Sequence, residues 1–222
     1  MSKYELILFD LDGTLTNPES GLVKSFAYAL SRMGVDCSDA EGLKRFIGPP
    51  LYDEWQRVYG FSPQESGRAL DYFHEYFEVY GWCDNVMYDG IPALLSGLRA
   101  AGKRVALATS KPEIFAKKIL RLFDISKYFD FEAGAYSDRI RDKKWEVLAY
   151  ALEQFPEIPK EKCVLVGDRK YDAEGAKICG IDAIGVGWGH GSAEELSESG
   201  FVSVLQTPET LLKFLTFTLI TI

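Results

Sequence analysis

Paired cysteines are missing from this sequence. The 222 residues include four cysteines that stand far apart, and none of them forms a C-x-x-C pair. The first residues, Met1-Ser2-Lys3-Tyr4, do not begin a secretory signal. We therefore expect a reduced protein of the cytoplasm.

Basic clusters and long apolar runs are missing as well. Lysine and arginine number 25 against 33 aspartate and glutamate, a formal net charge of -8. No basic cluster of the kind that binds a phosphodiester backbone is present in the sequence. The longest apolar end, Leu211 to Ile222, is interrupted by Lys213 and three threonines and is too short to span a bilayer. We expect neither nucleic acid nor membrane as a partner, whereas a small phosphorylated ligand needs only a few local cations.

A regular alternation of short apolar runs and amphipathic segments occupies the chain from residue 104 onward. Apolar runs predict strands at 104–108, near Phe131, and at 163–166, 183–186 and 202–205. Helical spacing predicts helices at 112–123, 144–155 and 171–179. Strands that alternate with helices predict an α/β fold, a doubly wound parallel sheet with a Rossmann-like core.

A long helical stretch separates the first predicted strand from this alternation. Glu5 to Phe9 reads as a buried strand, and the next clear strand begins more than ninety residues later at Arg104. A right-handed crossover needs only about a dozen to thirty residues. We therefore predict an α/β core of residues 1–15 and 85–222, with an inserted α-helical cap domain at 16–84 over the end of the first strand. Within the insertion, helical spacing predicts helices at 51–59 and 63–80, and two prolines beside a glycine predict a rigid loop at 47–51. We expect this loop and Arg45 to influence the choice of ligand.

Polar side chains follow three predicted strands at the points where those strands end. They are Asp10 and Asp12 after the first strand, Thr109, Ser110 and Lys111 after strand 104–108, and Asp168 and Asp172 after strand 163–166. Because open α/β sheets bind ligands beyond the carboxyl ends of their strands, we expect these side chains to converge on one site.

Four converging carboxylates have an electrostatic consequence. Two like charges about 4 Å apart repel by roughly 4 kcal/mol at an effective dielectric constant near 20. Such a cluster takes up protons or holds a cation. An all-oxygen, carboxylate-rich site suits magnesium, which commonly meets a substrate phosphate. The sequence therefore predicts a Mg²⁺ site that serves a phosphorylated ligand.

Structural roles are the alternative for several of these residues. Asp168 and Asp172 are four residues apart where a helix begins, so they could cap that helix. Of Lys143 and Lys144, position alone does not decide which points inward. His190 stands at a predicted strand end without an assigned role, and His74 is expected to be an exposed helix residue.

Together, these residues resemble the four motifs of the haloacid dehalogenase-like superfamily. The motifs are Asp10-Leu11-Asp12-Gly13-Thr14, Thr109-Ser110, a lysine at the start of a later helix, and Gly167-Asp168-x-x-x-Asp172. The insertion after the first motif resembles the subgroup with a small α-helical cap, and phosphoglycolate phosphatase and nucleotidase-like enzymes in particular.

The resemblance implies a role for each matching position. Asp10 would be the nucleophile that forms an aspartyl-phosphate, and Asp12 would be general acid and then general base. Magnesium would be held by Asp10, the main-chain carbonyl of Asp12, and Asp168, with Asp172 behind them or as a weak ligand. Thr109 with the Ser110 backbone would bind the phosphoryl group. Lys144 fits the motif lysine better than Lys143, because its spacing from Val147 and Leu148 places it on the apolar side of its helix.

The resemblance implies a magnesium-dependent phosphatase of a small soluble phosphate monoester, phosphoglycolate-like or a nucleoside monophosphate. Trp145 follows Lys144 where phosphoglycolate enzymes usually have proline, so the ester stays open. A mutase of the β-phosphoglucomutase type and a pyrophosphatase of the same superfamily are alternatives, and a non-catalytic binding module is a third. We expect a monomer or a homodimer.

Overall fold

A computed structural model describes residues 2–48, 50–136 and 141–217. The chain forms two compact units: the α/β unit holds the residues up to Asn17 and from Met87 onward, and the helical unit holds Pro18–Val86. These boundaries differ from the sequence-based ones by two residues at each end of the insertion.

The helical unit is built around an aromatic core. Its α-helices are α1 (Glu19–Arg32), α2 (Ala40–Leu43), α3 (Leu51–Tyr59) and α4 (Pro63–Tyr76). Phe26 stacks on Phe73 with ring centroids 5.6 Å apart, and Phe46 meets Phe26 edge-on at 6.0 Å. Trp55 is fully buried beside Phe46. Because aromatic side chains bury a large apolar area, this unit has a core of its own.

The described residues of the α/β unit contain a six-stranded parallel sheet. Its strands are β1 (Leu6–Phe9), β4 (Arg104–Pro112), β5 (Phe131–Ala135), β6 (Cys163–Gly167), β7 (Asp182–Val186) and β8 (Ser203–Leu205). They lie side by side in the order β5-β4-β1-β6-β7-β8. A separate two-stranded sheet joins β2 (Thr16–Asn17) to β3 (Val86–Met87). In the main sheet Phe9 pairs with Leu107 on one side and Val166 on the other. β1 is thus a central strand, apolar on both faces.

Helices follow the strands of the α/β unit. They are α5 (Ile91–Ala100), α6 (Glu113–Leu122), α7 (Lys144–Leu152), α8 (Lys170–Cys179), α9 (Ala193–Glu198) and α10 (Pro208–Thr216). The chain moves from β1 outward to β5 and then returns across the sheet to β6. Since parallel crossovers are right-handed, this reversal places helices on both faces of the sheet. The prediction of a doubly wound α/β fold is confirmed.

Two predicted elements differ from the observed ones. The helix predicted to continue to Tyr80 ends at Tyr76, and Phe77–Gly81 is a π-helical turn. A Cβ on Gly21 would lie 2.0 Å from the Gly81 carbonyl oxygen, so the turn packs directly on the α1 backbone. The strand predicted to end at 108 continues to 112 with a shift of register.

Parts of two predicted segments lie outside the described residues. They are position 49 of the rigid loop predicted around 47–51, and positions 218–222 of the apolar end. Within the part of the chain that the structure describes, every helix is too short or too polar to cross a membrane.

Candidate active site

The first strand ends in a tight turn that positions both carboxylates of the D-x-D-G-T motif. The Asp10 N–H donates to the Val166 carbonyl at 2.9 Å, so Asp10 still belongs to the sheet. The Leu11 carbonyl then accepts hydrogen bonds from the N–H groups of residues 14, 15 and 16. Gly13 has a φ of +82°, a left-handed conformation that glycine adopts without strain. Asp10 itself is 8% exposed.

The neighbouring strand β6 supplies two further carboxylates. Asp168 directly follows β6 and is fully buried, and Asp172 lies buried in the first turn of α8. Asp168 Oδ2 accepts a hydrogen bond from the His190 N–H at 2.8 Å. Asp172 Oδ2 accepts one from the Arg169 N–H at 3.0 Å. Since β1 and β6 flank the reversal of the chain, these groups lie at the topological switch point of the sheet.

Three of these side chains converge, and we call Asp10, Asp168 and Asp172 the carboxylate cluster. One oxygen from each lies within 4.8 Å of the other two. Burial, with the charges of Asp172 and Asp10, raises the pKa of Asp168 to about 8. Burial also raises the pKa of Asp172, although the charge of Lys144 opposes it. The ionised cluster is therefore destabilised unless a cation lies beside it.

Lys144 is a positive group inside this cluster. Its Nζ lies 2.5 Å from Asp10 Oδ1 and 2.8 Å from Asp172 Oδ1, and it donates to the Ala108 carbonyl at 3.2 Å. Burial lowers the pKa of Lys144, but Asp10 and Asp172 outweigh it and raise the pKa above its ordinary value. Gly175 of α8 permits this approach, because a Cβ there would lie 2.8 Å from Lys144 Cγ.

Strand β4 brings a hydroxyl and a second lysine to the same edge of the sheet. Thr109 and Lys111 are buried, whereas Ser110 and Pro112 between and after them are exposed. The Lys111 N–H donates to Thr109 Oγ1 at 3.2 Å, and Lys111 Nζ lies 2.7 Å from Asp12 Oδ2. The two carboxylates of the first motif therefore have different lysine partners.

The donor set of this edge fits a hard divalent cation. The carboxylate cluster and Asp12 are four carboxylates, set against the ammonium groups of Lys111 and Lys144. Asp168 Oδ1 is buried, and among the described residues it has no hydrogen-bond partner. Buried carboxylate oxygens with an excess of negative charge are the environment that Mg²⁺ prefers. The cluster could therefore hold this ion.

The structure brings most of the predicted site residues together. Of the two candidate lysines, Lys144 lies in the cluster and Lys143 is exposed. Asp172 also caps α8 through Arg169, so the capping alternative holds for this residue beside its place in the cluster. The Asp12 carboxylate lies with Lys111, and the predicted ligation of magnesium by its carbonyl stays a prediction.

The structure also shows where the two histidines lie and which residue Lys111 contacts. His74 is exposed in the helical unit, 3.8 Å from Glu78, as expected of a surface residue. His190 contributes its backbone N–H to Asp168. The contact of Lys111 with Asp12 was missed, although one signal existed: Lys111 stands two residues after Thr109, the spacing that places side chains on one face of a strand.

The arrangement of these motifs matches a known family. The family model described as haloacid dehalogenase-like hydrolase matches residues 4–180, a range that contains every predicted site residue. The chain belongs to the haloacid dehalogenase-like hydrolases. The resemblance predicted from the motifs is thereby confirmed.

Three relatives of this chain have names that state an activity. A 5'-nucleotidase of Pseudomonas aeruginosa is 41% identical over 194 residues, 87% of each chain. Tyrosine-protein kinase PtkA of Mycobacterium tuberculosis is 42% identical over 195 residues, 88% of this chain and 66% of that relative. The solved PtkA structure has a TM-score of 0.82 at 38% identity, covering 96% of this chain and 99% of that one. A phosphoglycolate phosphatase of Colwellia psychrerythraea is 29% identical over 210 residues, 90% of this chain and 92% of the relative. The chain is a phosphatase of the haloacid dehalogenase-like family.

Proposed function

We propose that this phosphatase depends on Mg²⁺ and hydrolyses a small phosphate monoester through a phosphoryl-aspartate at Asp10. The carboxylate cluster, with Lys144 inside it, is the observation that supports this most strongly. A nucleophilic carboxylate must be held in a fixed position, and the negative charges around it must be neutralised. A buried lysine and a bound cation supply both.

In the first step an oxygen of Asp10 attacks phosphorus, and the bond from phosphorus to the ester oxygen breaks. Asp12 gives its proton to the departing alkoxide, so that an alcohol leaves. In the second step water attacks the phosphoryl group on Asp10, the bond from phosphorus to the Asp10 oxygen breaks, and Asp12 takes a proton from that water. Inorganic phosphate leaves, Asp10 is again a carboxylate, and Asp12 is again the protonated acid.

The phosphoryl group is bound by Thr109, the backbone at Ser110 and Lys144. Thr109 is buried within β4, and Lys144 donates to the neighbouring Ala108 carbonyl, which supports a shared role. Positive charge at the phosphoryl oxygens stabilises the charge that develops during transfer. Mg²⁺ at Asp10, Asp168 and the Asp12 carbonyl, with Asp172 behind them or as a weak ligand, would supply further positive charge there.

The helical unit is proposed to act as the cap that selects the ester. Its predicted selecting elements are the loop at 47–51 and Arg45, which lies 5.0 Å from the Phe46 ring. Changing Arg45 to alanine should alter the relative rates across a substrate panel. Unchanged relative rates would exclude this role.

Phosphoglycolate-like esters and nucleoside monophosphates are the proposed substrates, in line with the names of two relatives. The purified protein should release phosphate from p-nitrophenyl phosphate with Mg²⁺ and lose this activity in EDTA. A screen of phosphoglycolate, nucleoside monophosphates, sugar phosphates and pyrophosphate then ranks the natural candidates. Transfer between two hydroxyls of a sugar phosphate, without phosphate release, would instead indicate the mutase.

The decisive variant is Asp10→Asn, which should lower kcat by at least about a thousandfold because the nucleophile is lost. Asp182→Asn is the matched control, since Asp182 lies where β7 begins and pairs with Lys3 at 2.6 Å. Phosphoryl-protein trapped from labelled substrate should be cleaved by hydroxylamine, as an acyl phosphate is. Retained activity in Asp10→Asn would disprove the nucleophile assignment.

A further inference from the structure

We propose that Lys111 is a positioning residue that holds Asp12 in the orientation needed for proton transfer. The inference rests on the proposed function, since it concerns the proton that Asp12 gives to the leaving group. It adds a residue that stands outside the four motifs described above.

The pairing of the central strands brings these two side chains together. β1 and β4 run parallel with Phe9 opposite Leu107. Asp12 lies three residues beyond Phe9 and Lys111 four residues beyond Leu107, so both stand just past the same edge of the sheet. β4 shifts its register against β5 between Ala108 and 112, and such irregularities re-aim side chains.

The burial of Lys111 shows that its ammonium group is held in place. Its side chain is 5% exposed and that of Asp12 is 28% exposed, with Nζ 2.7 Å from Asp12 Oδ2. Removing an ammonium group from water is costly unless a negative partner compensates it. A short, part-buried contact also restricts the rotation of the aspartate. This differs from the open ion pairs of the surface, where both side chains keep their freedom.

The two oxygens of Asp12 have different surroundings. Oδ2 is bound by Lys111, whereas Oδ1 is buried and has no hydrogen-bond partner among the described residues. Holding one oxygen fixes the direction of the other. We therefore assign proton transfer to Oδ1 and orientation to the contact at Oδ2.

Other roles for Lys111 predict different kinetics. A lysine that binds the phosphoryl group affects every phosphate ester alike, because that group is common to all. A lysine that orients the general acid matters most when the leaving group needs a proton. An alkoxide needs one, whereas p-nitrophenolate departs without it.

The test compares kcat/KM for β-glycerophosphate and p-nitrophenyl phosphate in wild type, Lys111→Met and Lys111→Arg. This constant covers only the steps up to loss of the leaving group, so the shared hydrolysis of the phosphoryl-aspartate does not enter it. In Lys111→Met the alkyl-to-aryl ratio should fall about tenfold to a hundredfold, a part of what general acid catalysis contributes. Lys111→Arg keeps a positive charge and should restore the ratio to within about threefold of wild type.

Asp12→Asn and the double variant Asp12→Asn/Lys111→Met complete the cycle. If Lys111 acts through Asp12, the double variant has the same ratio as Asp12→Asn alone. An unchanged ratio in Lys111→Met, or a further fall in the double variant, would overturn the proposal. Thermal unfolding of each variant is measured in parallel, because a merely structural lysine lowers Tm without changing the ratio.

Failure of the proposed function would look different. In that case wild-type protein would release no phosphate from either ester with Mg²⁺. A wild type that hydrolyses both esters, with a Lys111→Met variant of equal ratio, would overturn the role of Lys111 and leave the phosphatase intact.

Discussion

Where its strands begin, the main sheet is surrounded by ion pairs that are open to water. Lys3 pairs with Asp182 at 2.6 Å with side chains 61% and 32% exposed, and Lys162 pairs with Glu5 at 2.7 Å. Where the same strands end, Lys144 is 9% exposed between two carboxylates. The two ion pairs at the first end lie in solvent, whereas the other end buries more carboxylates than it pairs.

The difference between the two ends distinguishes charged groups that surround the fold from charged groups that we propose for catalysis. Open ion pairs contribute little to stability and cost little, so the sheet does not depend on them. Buried, unbalanced carboxylates destabilise the folded state, and nothing in the packing of a parallel sheet requires them. Their presence at one end supports the catalytic role that we propose for this end. Substitutions at the two ends should therefore differ in size and in sign.

The largest effect is expected from Lys144→Met in metal-free protein. The substitution leaves Asp10 and Asp172 buried without their lysine, which should lower the free energy of unfolding by about 3–5 kcal/mol. Urea unfolding in EDTA measures this change. A variant as stable as wild type would show that the buried pair has no stabilising role.

Asp168→Asn should act in the opposite direction, raising the stability of the metal-free protein by about 1–2 kcal/mol through relief of repulsion within the cluster. Since the pKa of Asp168 is raised to about 8, its carboxylate form penalises folding increasingly as pH rises from its ordinary value toward 8. The advantage of the asparagine should therefore grow from about pH 5 to about pH 8.

Asp168→Asn also tests whether Mg²⁺ binds at the carboxylate cluster. Mg²⁺ should raise the Tm of wild type, because a ligand that binds the folded state stabilises it, and the rise should be much smaller in Asp168→Asn. An equal rise in both proteins would place the ion elsewhere. A less stable asparagine variant would contradict the repulsion argument.

Asp130→Asn, where β5 begins, should lower stability by about 1 kcal/mol at neutral pH. Burial raises the pKa of Asp130, but hydrogen bonds from the Val105 N–H and from Arg99 and Arg104 outweigh it and leave the pKa below its ordinary value. A lowered pKa stabilises the fold above the ordinary value, and this contribution is lost as pH falls through the folded pKa. The difference between variant and wild type should therefore disappear on acidification, which thermal unfolding across pH would show.

The smallest effect is expected from Lys162→Met, the matched counterpart of Lys144→Met at the open end. Its partner Glu5 and Lys162 itself are both largely exposed, so solvent replaces the lost contact. Tm should not change measurably. A clear loss of stability would remove the distinction between the two ends.

Much of the site could be predicted because parallel strands end at one edge. Asp10, Thr109 and Asp168 each follow an apolar run, and no knowledge of side-chain direction is needed to place them together. Lys144 could be chosen over Lys143 because the helix that it heads has a buried register at Val147 and Leu148.

The features that could not be predicted depend on local backbone geometry, which the pattern of residue types does not determine. Lys111 was missed as the partner of Asp12, because the strand was predicted to stop at Ala108 and so gave Lys111 no defined face. The π-helical turn after Tyr76 was missed because the aromatic spacing continues through it, while a close backbone approach decides the geometry. The cytoplasmic location and the monomeric or homodimeric state stay predictions, since neither follows from contacts within one chain.

The central position of β1 in the sheet also determines the order in which parts of the chain can fold during synthesis. Leu6 pairs with Arg104 and with Cys163, so during synthesis the strand leaves the ribosome long before either neighbour exists. The helical unit, with its own aromatic core, can fold in the interval, whereas pairing across such separations is slow. The carboxylates meet after β6 and the start of α8 have been made. A chain released before Asp172 contains Asp10, the proposed nucleophile, but cannot form the carboxylate cluster.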